Sequence, residues 1–288
     1  MSKIEKSADC LEGAWERPYN VARDRVGSIH DDAMAKQLGF RGAFVSARTH
    51  LMVFSPLLLQ AFGQRWFERG TISMEFQVGT LDQEPVRAVL GVGSAHVGDI
   101  QVEARLENAD GDDVAIGSAS VGAQGEPTWL ATKELNRGDD DLPYSLLDGI
   151  RPHQPFPDTE VVLTPQQAER FIGATKAALP WYSGASPWGG PIASQGLMVG
   201  ALGAPCSAYL AVHPVAGVAI DGAIELRNIH GPVLLNQMYR ASGEVVARGR
   251  SPKTEYIWYE SRLEDSHGTR VAEMRMQLRF VGPRQIQP

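Results

Sequence analysis

The chain has 288 residues, 43% hydrophobic and 21% charged, with a net charge of −7. That balance is typical of a soluble globular protein with room for one large domain or two small ones, and no basic stripe supports a nucleic-acid role. Two cysteines, Cys10 and Cys206, are too few for a disulfide framework or a metal cluster, so neither is expected. No apolar run approaches the ~20 residues that span a bilayer, and the N-terminus MSKIEKSADC lacks the apolar core of a signal peptide, so a cytoplasmic location is the expectation.

The first 18 residues are polar, and YNVAR reads as a short strand. In the loop DRVGSIHDD, Gly27 and Ser28 mark a turn, and Asp31 or Asp32 caps a short helix, AMAKQLG, that Gly39 stops. Ser46 caps the next helix, Ala47 to Phe62, which is apolar nearly all round and therefore expected to be buried. Pro56 inside it predicts a kink or a restart. From Trp66 onward four runs read as strands separated by turn signals: WFERGTISMEFQV, EPVRAVLGVGSAHV, DIQVEARLENADG and DVAIGSASVGA. One long helix followed by four strands suggests an antiparallel meander rather than βαβ units.

A connector follows, with the acidic run GDDDLP and a short helix expected at WLATKELN. The order of elements then repeats. TPQQAERFIGATKAAL is a helix with Thr164 as its cap and Pro165 at its first position. IASQGLMVGALGAP is a small-residue helix, and four strand-like runs complete the chain. Glu75 of ISMEFQV matches Glu225 of GAIELRN at an offset of 150, and Ala47 matches Gly196 at 149. The fold expected is therefore α+β, with two long buried helices each wrapped by an antiparallel sheet. Residues 1–125 form one copy, 126–159 the connector and 160–288 the second copy.

The stretch SIHDDAMAKQLGF…GAFVSARTHL resembles the motif of MaoC-like dehydratases and (R)-specific enoyl-CoA hydratases, roughly D-x-N-P-x-H-x-D-x-x-x-A…G-F…I-A-x-G-M. PIASQGLMVG in the second half resembles the I-A-x-G-M helix start. The resemblance spans about Tyr19 to Val281 and implies a double hotdog. It also implies hydration of an enoyl thioester or dehydration of a 3-hydroxyacyl thioester, a CoA-linked substrate as the partner, and no metal or other cofactor. His30 falls on the motif histidine, the acid/base, and Asp32 on the acid two places later. Ala47 falls on the helix-start glycine whose backbone N–H polarises the thioester carbonyl.

Three departures stand out. The position five residues before the histidine, aspartate in the family, is Arg25; Asp24 lies one place further away and is the expected partner of His30. Gly27-Ser28 replaces Asn-Pro, and Arg48 follows Ala47 where a small or apolar residue is usual. Arg25 and Arg48 together suit a carboxylate or phosphate. His50 on the helix, and Tyr182 and Trp188 flanking the Gly-rich loop WYSGASPWGGP, are further candidates for lining a substrate pocket. The second copy has no loop histidine, so at most one hydratase-type site is expected, in the first half. The alternatives are a relative that has lost water activation and binds, isomerises or cyclises an acyl or polycyclic ligand, and a non-catalytic subunit paired with an active one. A homodimer is compatible with each of them.

Overall fold

Among the described residues, four helices begin where a side chain satisfies the otherwise free N–H groups of the first turn. In the computed structural model, which describes residues 10–91, 100–122, 127–133, 135 and 143–282, Asp31 caps α1 (Asp32–Gln37) and Ser46 caps α2 (Ala47–Val53). The apolar helix breaks where Pro56 predicts it: α3 (Ser55–Phe62) starts afresh after Phe54, with the proline in its first turn. A short α4 (Arg65–Arg69) then turns the chain into the sheet. Trp66 and Phe67, expected as strand, belong to this helix and bury their rings at 2% and 5% exposure. RWFER contains no β-branched residue, and the helical turn puts both rings in the core.

The second half follows the same plan. Thr164 and Gln167 form a capping box on α5 (Pro165–Ile172). Ser194 caps α6 (Gln195–Leu202), and α7 (Ala204–Val212), absent from the sequence expectation, restarts with Pro205 in its first turn. The stretch 195–212 is long and apolar enough to cross a membrane, against the expectation that none was, but 61% of it is buried as the core helix of this half.

The strands are β1 (Cys10–Glu12), β2 (Gly70–Phe76), β3 (Val86–Gly91), β4 (Ile100–Asn108), β5 (Asp113–Val121), β6 (Thr159–Val162), β7 (Val218–Asn228), β8 (Met238–Arg250), β9 (Glu255–Glu264) and β10 (Arg270–Val281). They form one sheet in the order β1-β3-β4-β5-β2-β7-β10-β9-β8-β6, antiparallel at each pairing. β1 and β6 were not anticipated, YNVAR forms turns rather than a strand, and WLATKELN keeps only a 3-10 turn at Leu130–Thr132. Parts of that last stretch, of the second strand run and the acidic run GDDD lie outside the described residues.

The two halves meet at a seam between β2 and β7, with Ser73 opposite Glu225, Met74 opposite Ile224 and Glu75 opposite Ala223. The two acids that mark the repeat both hold the segment crossing this seam. Glu225 accepts from Ser73 Oγ (2.8 Å) and Thr128 Oγ1 (2.6 Å), and Glu75 meets Trp129 Nε1 (3.3 Å) and Lys133 Nζ (2.9 Å). On the other face α2 and α6 cross so closely that a Cβ on Gly196 would stand 3.0 Å from the Arg48 carbonyl oxygen. Close approach matters again at Gly117 of β5, where a Cβ would lie 1.9 Å from the Ser73 carbonyl oxygen. Gly117→Ala must therefore displace backbone at the seam. We expect a loss of about 2 kcal/mol in urea unfolding, a cost usual for overpacking; an unchanged midpoint would contradict the close approach.

Candidate active site

His30 sits just before the α1 cap, in a loop braced on both sides. Its N–H donates to Ser28 Oγ (3.2 Å), and its carbonyl accepts from Nδ2 of the buried Asn20 (2.9 Å). Ring Nδ1 lies 2.8 Å from the Phe44 carbonyl oxygen. A carbonyl only accepts, so Nδ1 carries the proton and the neutral ring is left with a lone pair on Nε2. Burial is the main influence on its protonation and pushes the pKa below the ordinary histidine value. The Phe44 bond and Asp221 oppose that shift, and Arg25 and Arg48 add to it.

Asp221 belongs to β7 of the other half. Ile29, Ala35 and Leu38 from the His30 loop and α1 form an apolar cluster with Val218 and Ile220 of β7 and Val281 of β10. That packing brings β7 to the loop, and the charge of Asp221, the residue after Ile220, reaches the ring from beyond ion-pair distance. The site is thus shared between the halves: a loop from one and a strand from the other.

The expected pair of Asp24 with His30 does not form. Consecutive turns close from Arg25 N–H to Ala22 O (2.9 Å) and from Ser28 N–H to Arg25 O (3.1 Å), and they leave the Asp24 side chain exposed to solvent. The carboxylate whose charge reaches the ring is Asp221, with no ion pair between them. Asp32, expected at the substrate, is instead exposed on α1, bonded to Lys36 Nζ at 2.6 Å and more weakly to the Ala43 N–H at 3.4 Å. Arg25 is exposed at the rim, and its charge reaches His30. Ala47 is the first residue of α2, and among the described residues no acceptor is found for its N–H.

Arg48 and His50 both come to this site. The Arg48 guanidinium lies along α6: a Cβ on Gly200 would be 3.4 Å from its Nη1, and one on Gly203 would be 3.7 Å from its Nη2 and 3.5 Å from the Tyr259 hydroxyl. Burial holds the Tyr259 hydroxyl well above its ordinary pKa, so it stays protonated. His50 is buried behind the site with Nε2 2.8 Å from Thr80 Oγ1, and burial, with His30 nearby, takes its pKa down to about 4.

Tyr182 and Trp188, expected at the pocket, lie on the other side of the axis relating the halves. The bond from Phe44 N–H to Ile29 O has its counterpart in that from Ile192 N–H to Trp181 O, so Tyr182 stands where His30 stands in the first half. The same caps align Ala47 with Gln195 and Arg48 with Gly196, one residue off the sequence match. Tyr182 is fully buried, in a network with Ser55 and Gln195 at 2.9 Å each, and burial raises its pKa. Trp188 bonds Glu68 and packs edge-on to Trp181 at 5.7 Å. The loop without a histidine is therefore sealed by its aromatic residues.

Two members of the site were invisible to sequence reasoning. Asp221 is an acid inside the apolar strand VAIDGAI, a signal available in principle, and Tyr259 is hidden in the aromatic run YIWYE. A cleft of about 490 Å³ lies elsewhere, on the outer face of the C-terminal sheet. It is lined by mutually paired charges, such as Arg275 with Glu260 (2.5 Å) and Arg227 with Glu273 (3.2 Å), with few apolar walls. Among the described residues no group of three or more potential ligands is placed to hold a metal ion.

No family model and no curated protein matches the sequence. Solved structures do match the fold. A chain described as a MaoC domain protein dehydratase from Chloroflexus aurantiacus aligns over 95% of both chains at 12% identity, with a TM-score of 0.66. A conserved double-hotdog protein of Mycobacterium tuberculosis aligns over 96% of this chain and 97% of its own at 11% identity, TM-score 0.57. A chain assigned as an oleoyl thioesterase from Lactobacillus plantarum aligns over 95% and 97% at 11% identity, TM-score 0.52. The fold is a double hotdog.

Proposed function

We propose that this double hotdog is a hydratase or dehydratase of the MaoC-like type, acting on an acyl thioester, with a single site built around His30. The observation that carries the reading is the state of that ring: Nδ1–H held by the Phe44 carbonyl, Nε2 left as a base, and burial keeping it neutral. In the hydration direction Nε2 takes a proton from water as the water oxygen bonds to C3 of the enoyl group. The C2=C3 electron pair moves into the thioester, leaving enolate charge on its oxygen. The Ala47 N–H is the donor for that charge. The proton held on the imidazolium Nε2 then passes to C2, and the charge of Asp221 stabilises the imidazolium in the interval.

Hotdog structures similar to this one include a chain assigned as a thioesterase, and the same base could direct water at the thioester carbon instead. Loss of enoyl absorbance and release of free thiol, followed together on crotonyl-CoA and longer enoyl-CoAs, separate the two. Hydration without thiol release is expected. Thiol release alone would make the chain a thioesterase, and neither signal at any chain length would sink the catalytic reading.

The carboxylate assignment has its own test. Asp221→Asn should lower kcat/KM about 10- to 100-fold, below the 10²- to 10⁴-fold typical of a group that itself transfers the proton, while Asp24→Asn should leave it unchanged. The reverse pattern would restore the pair expected from the motif.

A further inference from the structure

Arg48 occupies the helix position held by Gly196 in the other half, and its chain runs along α6 where Gly200 and Gly203 leave room. Among the described residues no hydrogen bond or ion pair is found for its guanidinium, a group with five donors and a permanent charge. Asp221 influences His30 and Tyr259, as Arg48 does, yet lies beyond ion-pair distance of the arginine. Arg25 and Arg48 both bring positive charge to the neutral His30 ring, and Asp221 brings negative charge. Tyr259, 3% exposed, donates its hydroxyl to Met276 Sδ (2.9 Å) near the Arg48 fork.

Position decides which anion fits. A thioester whose oxygen meets the Ala47 N–H directs its acyl group toward one side and its long CoA arm toward the other. The half-buried Arg48 lays its fork along α6, toward the acyl side of such a thioester. We propose that the substrate is the monothioester of a dicarboxylic acid, its free carboxylate held by the Arg48 fork. The proposal rests on the acyl-thioester reading above and names its substrate class.

The probes are glutaryl-CoA, butyryl-CoA and free CoA, measured by calorimetry on the full chain. The first two are saturated thioesters that differ in a terminal carboxylate, so neither can be hydrated. Glutaryl-CoA should bind at least ~30-fold more tightly than butyryl-CoA, in keeping with a charge-assisted, geometrically matched pair. In Arg48→Gln that ratio should fall to within about threefold, and Arg48→Lys, which keeps the charge without the fork, should lie between. Equal affinities in the wild-type protein would overturn the proposal, a result independent of how the variants fold. A uniform loss for all three ligands in Arg48→Gln would overturn it too, by placing the arginine on the CoA phosphates. A carboxylate preference in a protein that hydrates no enoyl-CoA would uphold this inference while removing the hydratase reading.

Discussion

His30→Ala should reduce kcat/KM for enoyl-thioester hydration by about 10²- to 10⁴-fold, the span typical of a lost general base. The loss should fall on kcat, since the ring's task arises in the transition state rather than in holding the substrate. The loop should survive the change: its bracing runs through the His30 backbone to Ser28 and Asn20, and its apolar contacts come from Ile29, Ala35 and Leu38. In the wild-type protein kcat/KM should follow the neutral fraction of the ring. Its pKa is lowered, so the activity plateau should extend below pH 6.5, the ordinary histidine midpoint, before falling in acid. A variant with near wild-type turnover, or a wild-type profile that falls with rising pH near neutrality, would remove His30 from the role of base.

The second large effect concerns stability. His50 is buried and neutral, with its pKa down from 6.5 to about 4. Above pH 6.5 both the folded and the unfolded chain carry it unprotonated, and it contributes no pH dependence. Between about 6.5 and 4 the unfolded chain binds a proton that the folded chain refuses, so stability falls as the pH falls. The drop from 6.5 to about 4 corresponds to a loss of ~3 kcal/mol across that window. His30 acts in the same direction. Urea unfolding at pH 7 and pH 4.5 should show the loss, and His50→Gln, whatever its own cost at pH 7, should flatten the dependence. An unchanged slope in the variant would mean that other groups set the acid sensitivity.

Local chemistry was readable from the chain, and distant partnership was not. The caps at Ser46 and Thr164, the restart at Pro56 and the buried apolar helix all follow from residues within a few positions of one another. The repeat was legible because Glu75 and Glu225 keep the same task at the seam. α7 escaped because Gly203 and Pro205 together read as a stop, whereas burial between Tyr209 and Cys206 rewards continuing as a helix. His30 could be found from its motif. Its carboxylate could not, because Asp221 reaches it only after two halves have folded and joined; the motif pointed instead to Asp24, which local turns direct outward. The sealing of the second loop by Tyr182, Ser55 and Gln195 likewise depends on residues from both halves.

The joined sheet has a consequence for how such a protein can diversify. At the offset of 150 that relates β2 to β7, the counterpart of Asp221 is Thr71. Two identical copies of the first half would bring two histidine loops together and supply neither with a carboxylate; two copies of the second would offer two aspartates and no histidine. Covalent fusion lets each half drop what the other provides. It frees the vacated loop to become a rigid aromatic plug, and it leaves the surviving site asymmetric enough to tell one end of a substrate from the other. A first-half homodimer carrying Thr71→Asp would give each histidine loop a carboxylate from its partner strand, with two sites instead of one.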